Sequence, residues 1–279
     1  MIKCCDERTY QNKMANSRTH GGSPDRFGYS WAIFSNILPE HREQFVRWTS
    51  ALPPQAWKGA YFLDAGCGVG RNSYWAMMEG ATGGCAIDLD ERSLSAARQN
   101  LKSFQTIEVR NQSIYDVPDH NCFDIAFSIG VIHHLAEPHA ALLSLTQSVK
   151  PGGHVLIWVY GRENMAWLLR FFDPLRRILF SRLPLRIVYH LSLYPTAALW
   201  LALRAGISSL EYYRLLRGFS FGHLRAVVFD QMIPRIAHYW PKAFVEALCR
   251  NAGLENVRLV HVNDMSWSAV GQKPTAHGS

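Results

Sequence analysis

Residues 63–71 read LDAGCGVGR, and this glycine-rich stretch decides the class of fold. The segment AYFLDAG (60–66) is short and apolar, as expected for a buried strand, whereas RNSYWAMMEG (71–80) has the composition of a helix. A turn between a strand and a helix collects backbone N–H groups and the positive end of the helix dipole at one point. We therefore predict that this turn holds a polar or charged part of a ligand.

The residues around the turn limit the kinds of ligand that it can bind. Gly66, Gly68 and Gly70 are spaced GxGxG, not the GxGxxG of dinucleotide-binding folds, and no GK[ST] follows as in a phosphate-binding loop. Asp64 would repel a pyrophosphate but suits a cationic group such as that of an α-amino acid. Asp88 ends the next predicted strand, where a carboxylate can accept both ribose hydroxyls. The pattern predicts an adenosine-type ligand, the alternative being a tight turn whose ligand has been lost.

The rest of the chain continues the alternation of strands and helices. TIEVRNQ, FDIAFSIG and HVLIWVYG are further predicted strands, and the last two are separated by a predicted helix. Two closing strands, at 255–263 and 265–273, are joined too tightly for a helical crossover and are predicted to be antiparallel. The expected fold is α/β, a doubly wound, mostly parallel seven-stranded sheet with a helical cap inserted after strand 5.

This pattern divides the chain into four parts. Only the segment between the fifth strand and the last helix belongs to no strand–helix–strand unit. The predicted parts are an N-terminal helical lid (1–54), an α/β core (55–161), a helical cap (162–240) and the return of the core (241–279).

Composition limits the class of protein and locates its charge. The chain of 279 residues is 48% hydrophobic and 18% charged, which is ordinary for a globular protein. The net charge of +7 arises between residues 162 and 225, a segment with ten arginines and only three acidic residues. Six cysteines without a CxxC pair argue against a disulfide framework and a zinc site, so no metal is predicted. The polar start MIKCCDERTYQNK lacks the apolar core of a signal peptide, and we expect a cytoplasmic protein.

Several motifs together resemble the class I S-adenosylmethionine-dependent methyltransferases. LDAGCGVGR resembles the first motif of that family, AIDLD its ribose-binding acid, and NQSIYDVP its adenine-contacting segment. FDIAFSIGVIHHL and LLSLTQSVKPGGHVLIW look like its fourth strand and the following helix and strand. The subgroup with the ubiquinone-biosynthesis methyltransferases has a similar histidine pair. The resemblance covers about residues 60–160 and resumes over 241–273.

This resemblance implies that S-adenosylmethionine is the cofactor, and it assigns residues to each part of that molecule. Gly66, Cys67, Gly68 and Gly70 would line the methionine part, with Asp64 near its amino group; Asp88 and the adjacent Leu89 would hold the ribose; Ser113 and Ile114 would flank the adenine; and Ile129 would pass beneath the sulfonium. Cys67 is expected to be a small packed side chain, not a nucleophile.

Methyl transfer from a sulfonium is an in-line displacement that requires alignment and exclusion of water. An acceptor hydroxyl must also lose a proton, and His133 and His134 follow the fourth strand where the acceptor should lie. Our hypothesis is that one of them, preferentially His133, is a general base or orients the acceptor. The alternative is that both stabilise the loop. The aromatic residues predicted to line the acceptor site, with ordinary packing as the alternative, are Tyr29, Trp31, Tyr160, Tyr239 and Trp240.

Some acceptors are disfavoured by missing motifs. The stretch after the fourth strand reads SIGV where DNA amino-methyltransferases carry [DNS]PP[YFW], and no Pro-Cys nucleophile for cytosine C5 occurs there. No RNA-binding module is visible, so nucleic acid is disfavoured as a partner. A tRNA or protein acceptor, and a non-catalytic cofactor-binding scaffold, are kept as alternatives.

The helical cap (162–240) is the segment expected to determine which acceptor binds. AWLLRFFDPLRRILF (166–180) is apolar on one face and arginine-rich on the other, with a predicted break at Pro174. IVYHLSLYPTAALWLAL (187–203) lacks formal charge and is marginal in length for spanning a bilayer. Three interpretations stay open: a packed helical cap, a pocket for a small or lipid-like acceptor with phosphate or carboxylate, and a surface on anionic lipid. Methylation at oxygen is favoured.

Overall fold

A computed structural model describes residues 23–206 and 210–275, and its centre is one seven-stranded sheet. The strand order is β3-β2-β1-β4-β5-β7-β6, with β7 antiparallel to both neighbours and the other pairings parallel. The predicted fold class is therefore confirmed. The strands are β1 (Tyr61–Ala65), β2 (Gly83–Asp88), β3 (Ile107–Asn111), β4 (Phe123–Ile129), β5 (Val149–Tyr160), β6 (Glu255–Val262) and β7 (Ser266–Gln272).

Helices cover the sheet and form the cap. Two of them precede the sheet, and residues 1–22 of the predicted lid lie outside the described part of the chain. The helices are α1 (Pro24–Ile33), α2 (Glu40–Trp48), α3 (Arg71–Met78), α4 (Glu91–Asn100), α5 (Pro138–Ser148), α6 (Asp173–Leu175) between π-helical turns (Leu168–Phe172 and Arg176–Phe180), α7 (Leu185–Leu191), α8 (Leu193–Arg204), α9 (Glu211–Arg217), α10 (Phe221–Met232) and α11 (Lys242–Asn251). Short 3₁₀ turns occupy Pro54–Trp57 and Ile132–His134.

The topology gathers three strand ends at one place. β1 lies between β2 and β4, so the chain order reverses on the two sides of β1. In open α/β sheets, ligands bind beyond the carboxyl ends of the strands at such a switch point. Parallel pairing places Ala65 beside Ile87 at the ends of β1 and β2, and the glycine turn follows directly.

Both faces of the sheet are buried against apolar layers. On one face, Phe62 and Phe127 pack with Trp57 from the first 3₁₀ turn, and all three are at most 2% exposed. On the other face, Leu63 and Ile157 pack against helices α5 and α11. Truncating one of the buried phenylalanines to alanine would cost about 3–5 kcal/mol, so these layers hold the strand ends rigidly in place.

Helix α1 and the cap form one lid, although they are about 200 residues apart in sequence. The Arg26 guanidinium donates to the carbonyl oxygens of Ile233 (2.6 Å) and Phe180 (2.8 Å), and the Ser30 hydroxyl donates to Asp230 (2.6 Å). Aromatic side chains of α1 also pack on the cap cluster around α10. The lid and cap, predicted as separate parts, are in contact in the folded chain.

The cap differs from the sequence prediction at Pro174. The chain stays helical through this residue because Pro174 lies in the single turn α6, which begins at Asp173 between two π-helical turns. Its missing N–H interrupts the hydrogen-bond ladder at a junction where the turn type already changes. The uncharged stretch 187–203 is divided between α7 and α8. Over the described ranges, 23–206 and 210–275, no helix combines the length and apolarity needed to cross a bilayer.

Candidate active site

The glycine turn after β1 is built so tightly that side chains are excluded. Gly66 and Gly68 have φ angles of +82° and +53°, which L-residues with side chains rarely adopt. A Cβ atom at Gly66 would lie 2.4 Å from the Val131 side chain. The N–H groups of Gly66 and Cys67 both donate to the Ile87 carbonyl oxygen, at 2.8 and 2.9 Å. The turn is thereby tied to β2 and leaves open space above it.

Asp88 is fixed at the end of β2 by backbone donors. Its carboxylate accepts hydrogen bonds from the N–H groups of Leu89 (2.7 Å), Gly68 (3.0 Å) and Asp90 (3.0 Å). Burial raises the pKa of Asp88, and these three backbone donors oppose that rise. The carboxylate thus joins the two loops and lies at the cavity wall, where a ribose would need it.

Asp64 lies buried beneath the turn. The Ser73 hydroxyl donates to its Oδ2 (2.7 Å), while Oδ1 has no hydrogen-bond partner in the described chain. Burial raises the pKa of Asp64 from 3.8 to about 7, against the lowering effect of the Ser73 hydrogen bond. A buried carboxylate oxygen without a partner is costly, and a cationic ligand group nearby would relieve that cost. The residue therefore fits a cofactor with an amino group.

A large cavity extends from the turn to the cap. Its volume of about 1220 Å³ exceeds the roughly 300–1,000 Å³ usual for a pocket holding one drug-sized ligand. Helix α1 crosses above the turn, where Trp31 is so near that a Cβ at Gly68 would lie 3.3 Å from its ring nitrogen. The cavity has room for a cofactor at the sheet edge and a second molecule under the cap.

The structure brings most of the predicted site residues to this cavity, but not all. Those lining it are Gly66, Cys67, Gly68, Asp88, Leu89, Ile114, Ile129, Trp31, Tyr160 and His134. Those outside its wall are Asp64, Gly70, Ser113, His133, Tyr29, Tyr239 and Trp240. Each of the last three has a packing partner: the Tyr29 ring contacts Phe229, Tyr239 stacks on Tyr160, and Trp240 belongs to the main core.

The two histidines after β4 have different surroundings. His133, which the sequence favoured as the base, is fully buried against the Tyr160 ring, and neither of its ring nitrogens has a partner in the described chain. His134 lines the cavity, and its Nδ1 donates to the Ile236 carbonyl oxygen at 2.7 Å. That bond leaves the lone pair of a neutral ring on Nε2. Burial lowers the pKa of His134 to about 4, so the ring is neutral at physiological pH.

A cationic side chain inside the cavity was missed by the sequence prediction. Arg71, the first residue of α3, lines the cavity and lies over the Trp31 ring at 4.9 Å. Within the described residues its guanidinium makes no hydrogen bond or ion pair. Burial lowers the pKa of Arg71 to about 10, with Asp230 acting in the opposite direction. The one sequence feature that could have indicated this role of Arg71 is its place directly after the glycine turn. The residues around its side chain come from α1 and α10, which are distant in sequence.

Comparison with known proteins finds methyltransferases that resemble the central part of this chain. Residues 63–157 match the model of a methyltransferase domain. A ubiquinone biosynthesis O-methyltransferase from Idiomarina loihiensis is 32% identical over 114 residues, which are 40% of this chain and 46% of that protein. A tRNA U34 carboxymethyltransferase from Vibrio cholerae is 32% identical over 115 residues, 40% of this chain and 36% of that protein. The chain therefore spans less than half the length of these relatives.

The likeness in structure extends further than the likeness in sequence. A chain from the complex between the Haloferax volcanii Trm112 methyltransferase activator and a methyltransferase superposes with a TM-score of 0.56 at 15% identity, covering 91% of this chain and 99% of that chain. At this identity the match supports the fold alone. The domain match and the sequence relatives support the prediction of a class I S-adenosylmethionine-dependent methyltransferase, a class whose cofactor is S-adenosylmethionine.

Proposed function

We propose that this protein transfers a methyl group from S-adenosylmethionine to a bulky, largely apolar acceptor that carries an anionic group, at an oxygen atom. The observation that supports this proposal is the single cavity that runs from the glycine turn to an aromatic chamber under the cap, with the unpaired Arg71 guanidinium between the two. A reactive methyl and an acceptor could meet there away from bulk water.

The residues at the glycine-turn end of the cavity suit S-adenosylmethionine. The glycine turn leaves room for the methionine part, and the unpaired oxygen of Asp64 suits its amino group. Asp88 is positioned for ribose hydroxyls, with Ile114 and Ile129 on the apolar wall. The cofactor supplies an electrophilic methyl on a sulfonium. The protein then has to orient the acceptor and accept its proton.

The acceptor end is aromatic and apolar, with the partly buried cation of Arg71 beside it. Its wall includes Tyr160, Phe172 and Tyr212, which suit a bulky ring or chain. A partly buried guanidinium without a hydrogen-bonded carboxylate is best satisfied by a carboxylate or phosphate, because its planar fork donates two parallel hydrogen bonds. Asp230 lies near Arg71, but its carboxylate already accepts from Ser30, and burial raises its pKa to about 6.

His134 is the residue best placed to take a proton from an acceptor hydroxyl. It lines the cavity, its ring is held by the bond to Ile236, and Nε2 has a free lone pair in the assigned tautomer. A pKa of about 4 keeps this base neutral but makes it weak in the ligand-free protein. An acceptor hydroxyl of low pKa, such as that of a phenol, matches such a base better than an alcohol does.

A tRNA acceptor is the second candidate, because the Vibrio cholerae relative is named for a tRNA substrate. Exposed arginines on the cap would supply the phosphate contacts that such an acceptor needs. A tRNA substrate would bind with steep salt dependence and become methylated. Binding without methylation would count as non-specific attraction to a basic surface.

The decisive experiment pairs calorimetry with mass spectrometry. S-adenosylhomocysteine should bind the purified protein, and native mass spectrometry should detect an anionic, largely apolar compound that copurifies and gains 14 mass units with S-adenosylmethionine. Binding without transfer to any copurifying compound or tRNA would indicate a scaffold instead of an enzyme.

The Arg71→Gln variant tests the anionic group. It should weaken acceptor binding at least about tenfold while leaving the affinity for S-adenosylhomocysteine unchanged. Arg235→Gln is the matched control, because Arg235 also lines the cavity but is exposed and lies 3.7 Å from Asp25. If Arg71→Gln instead lowered the affinity for S-adenosylhomocysteine, the guanidinium would serve the carboxylate of the cofactor.

A further inference from the structure

One face of the first cap helix exposes large apolar side chains to solvent. This outer face consists of Trp167, Phe171, Leu175, Ile178 and Leu179, and the exposed fractions of Phe171 and Ile178 are 69% and 68%. The residues on the opposite side, including Leu168, Phe172 and Phe180, pack inward on the cap clusters. Contiguous exposed apolar residues of this size usually mark an interaction surface.

The charge around the outer face has one sign. Between residues 164 and 206 the chain has six arginines, no lysine and a single acid, Asp173. Asp173 is buried and forms ion pairs with Arg176 and Arg177, so no exposed acid lies in this segment. The exposed arginines in this helix and in the 6 residues after it are Arg170, Arg177, Arg182 and Arg186.

This combination fits a membrane surface better than a second copy of the chain. Apolar and aromatic side chains enter the boundary between headgroups and acyl chains, while arginines beside them meet anionic headgroups. Two copies joined through the outer face would bring arginines of the same charge together. Because no described helix is long enough to cross a bilayer, the face would lie on the surface and not span it.

The outer face is continuous with the wall of the cavity. Trp167 is 51% exposed and also lines the cavity, and Leu168 and Phe172 of the same helix line it too. A molecule dissolved in the membrane could therefore pass beside Trp167 into the aromatic chamber.

We propose that the outer face docks on a bilayer rich in anionic lipid and that the acceptor enters from this bilayer beside Trp167. The docking is independent of the methyltransferase activity, whereas the entry route rests on the proposed function.

The test is flotation of the full-length protein with vesicles of phosphatidylcholine, with or without phosphatidylglycerol. The wild type should float with the anionic vesicles and less with the neutral ones, and added salt should weaken the binding. The double variant Phe171→Asp with Ile178→Asp should lose at least about tenfold in binding, because insertion of even one of these exposed side chains into the bilayer is worth more than about 1.4 kcal/mol. Val46→Asp with Met78→Asp is the control, since both residues are exposed apolar side chains outside the cap.

The contribution of charge is tested at Arg170 and Arg182. Changing both to Gln should reduce the preference for anionic vesicles, because two of the four exposed arginines are lost, and changing both to Lys should retain it. Failure of the wild type to float, or equal flotation with neutral vesicles, would overturn the proposal. A dimer in sedimentation that the aspartate variant disrupts, without flotation, would assign the outer face to a second copy.

S-adenosylhomocysteine binding separates this proposal from the proposed function. All the vesicle variants should keep wild-type affinity for it, because none of the changed residues lies at the cofactor end of the cavity. A wild-type protein that floats but binds no S-adenosylhomocysteine would contradict the methyltransferase proposal and leave the membrane-docking proposal standing.

Discussion

At the scale of single residues, the site depends on polar groups whose burial is compensated to different degrees. Among the residues that the structure describes, Asp88 is held by three backbone donors, whereas Oδ1 of Asp64 has no hydrogen-bond partner and the Arg71 guanidinium forms no ion pair. Unpaired buried groups raise the free energy of the ligand-free protein. The desolvation penalty of these groups arises when the protein folds and is not incurred again when a ligand binds. A ligand that pairs with them therefore binds more tightly.

Asp64 gives a pH-dependent prediction for stability. Its pKa is about 7 in the folded protein against an ordinary 3.8, so the folded state binds more protons between these values. The contribution of this group to stability therefore decreases as the pH rises from 4 to 7. We expect Asp64→Asn to stabilise the ligand-free protein at pH 8 by about 1–3 kcal/mol and much less at pH 5, measured by urea unfolding.

Asp124 provides the control for this prediction. The hydrogen bonds from Lys150 and the Tyr61 N–H outweigh desolvation and lower the pKa of Asp124, so Asp124→Asn should destabilise the protein slightly at pH 8. An equal effect of Asp64→Asn at pH 5 and pH 8 would show that its carboxyl does not titrate in this range.

The histidine pair gives a kinetic prediction. His134→Gln should lower kcat about 100-fold with the copurified acceptor, because removal of a general base typically costs this much or more. His133→Gln should leave kcat near the wild-type value, since His133 lies outside the cavity wall. Single-turnover measurements at saturating cofactor separate the chemical step from binding. If both variants retained wild-type rates, neither histidine would be the base.

The residues that sequence could predict are those whose role is set by the local chain. The glycine turn and Asp88 depend on the end of a strand and the spacing to the next one, and both are visible in the sequence. Arg71 and the difference between His133 and His134 depend on side chains from α1 and the cap. No local pattern encodes which of two adjacent histidines turns toward a cavity.

At the scale of elements, α1 approaches the core so closely that only glycine fits at the crossing. A Cβ at Gly28 would lie 2.0 Å from the carboxyl carbon of Asp90, which caps α4 by accepting from the N–H groups of Arg92 and Ser93. Gly28→Ala must therefore displace either α1 or this cap. We expect about tenfold weaker binding of S-adenosylhomocysteine and a loss of ~1 kcal/mol in stability, measured by calorimetry and urea unfolding.

Gly222 is the matched control for this change. It lies in α10, and a Cβ there would have no atom within 4 Å. Gly222→Ala should keep cofactor affinity and raise stability by up to about 1 kcal/mol, the usual gain in a helix. Wild-type affinity in Gly28→Ala would mean that α1 does not need its close position to cover the cofactor.

The elements were predicted well where hydrophobic periodicity and glycine or proline boundaries coincide. The strands of the sheet and helix α11, with proline before it and glycine after it, belong to this group. The prediction of a break at Pro174 was wrong because tertiary packing of Phe172 and Phe180 keeps the chain helical on both sides. The burial of Arg176 within an otherwise exposed arginine series likewise depends on Asp173 and the Pro234 carbonyl oxygen.

At the scale of the whole molecule, the active site is enclosed by segments from distant parts of the chain. The contacts of α1 with α10 and the loop after it, through Arg26 and Ser30, link the N-terminal segment to the cap. Both elements also line the cavity. A ligand that orders one of them should therefore order the other.

This linkage can be tested by hydrogen exchange with and without S-adenosylhomocysteine. At a ligand concentration 100 times the Kd the folded state gains about 2.7 kcal/mol, so amides that exchange by opening of the lid should slow by up to about 100-fold. We expect slower exchange in α1 and in α10 together, although only α1 crosses the glycine turn. Ser30→Ala should retain the slowing in α1 and reduce it in α10, because the Ser30–Asp230 hydrogen bond is lost. Asp230→Asn, which keeps a side-chain acceptor for Ser30, should preserve both. Slowing in α1 without slowing in α10 of the wild type would show that the two segments open independently.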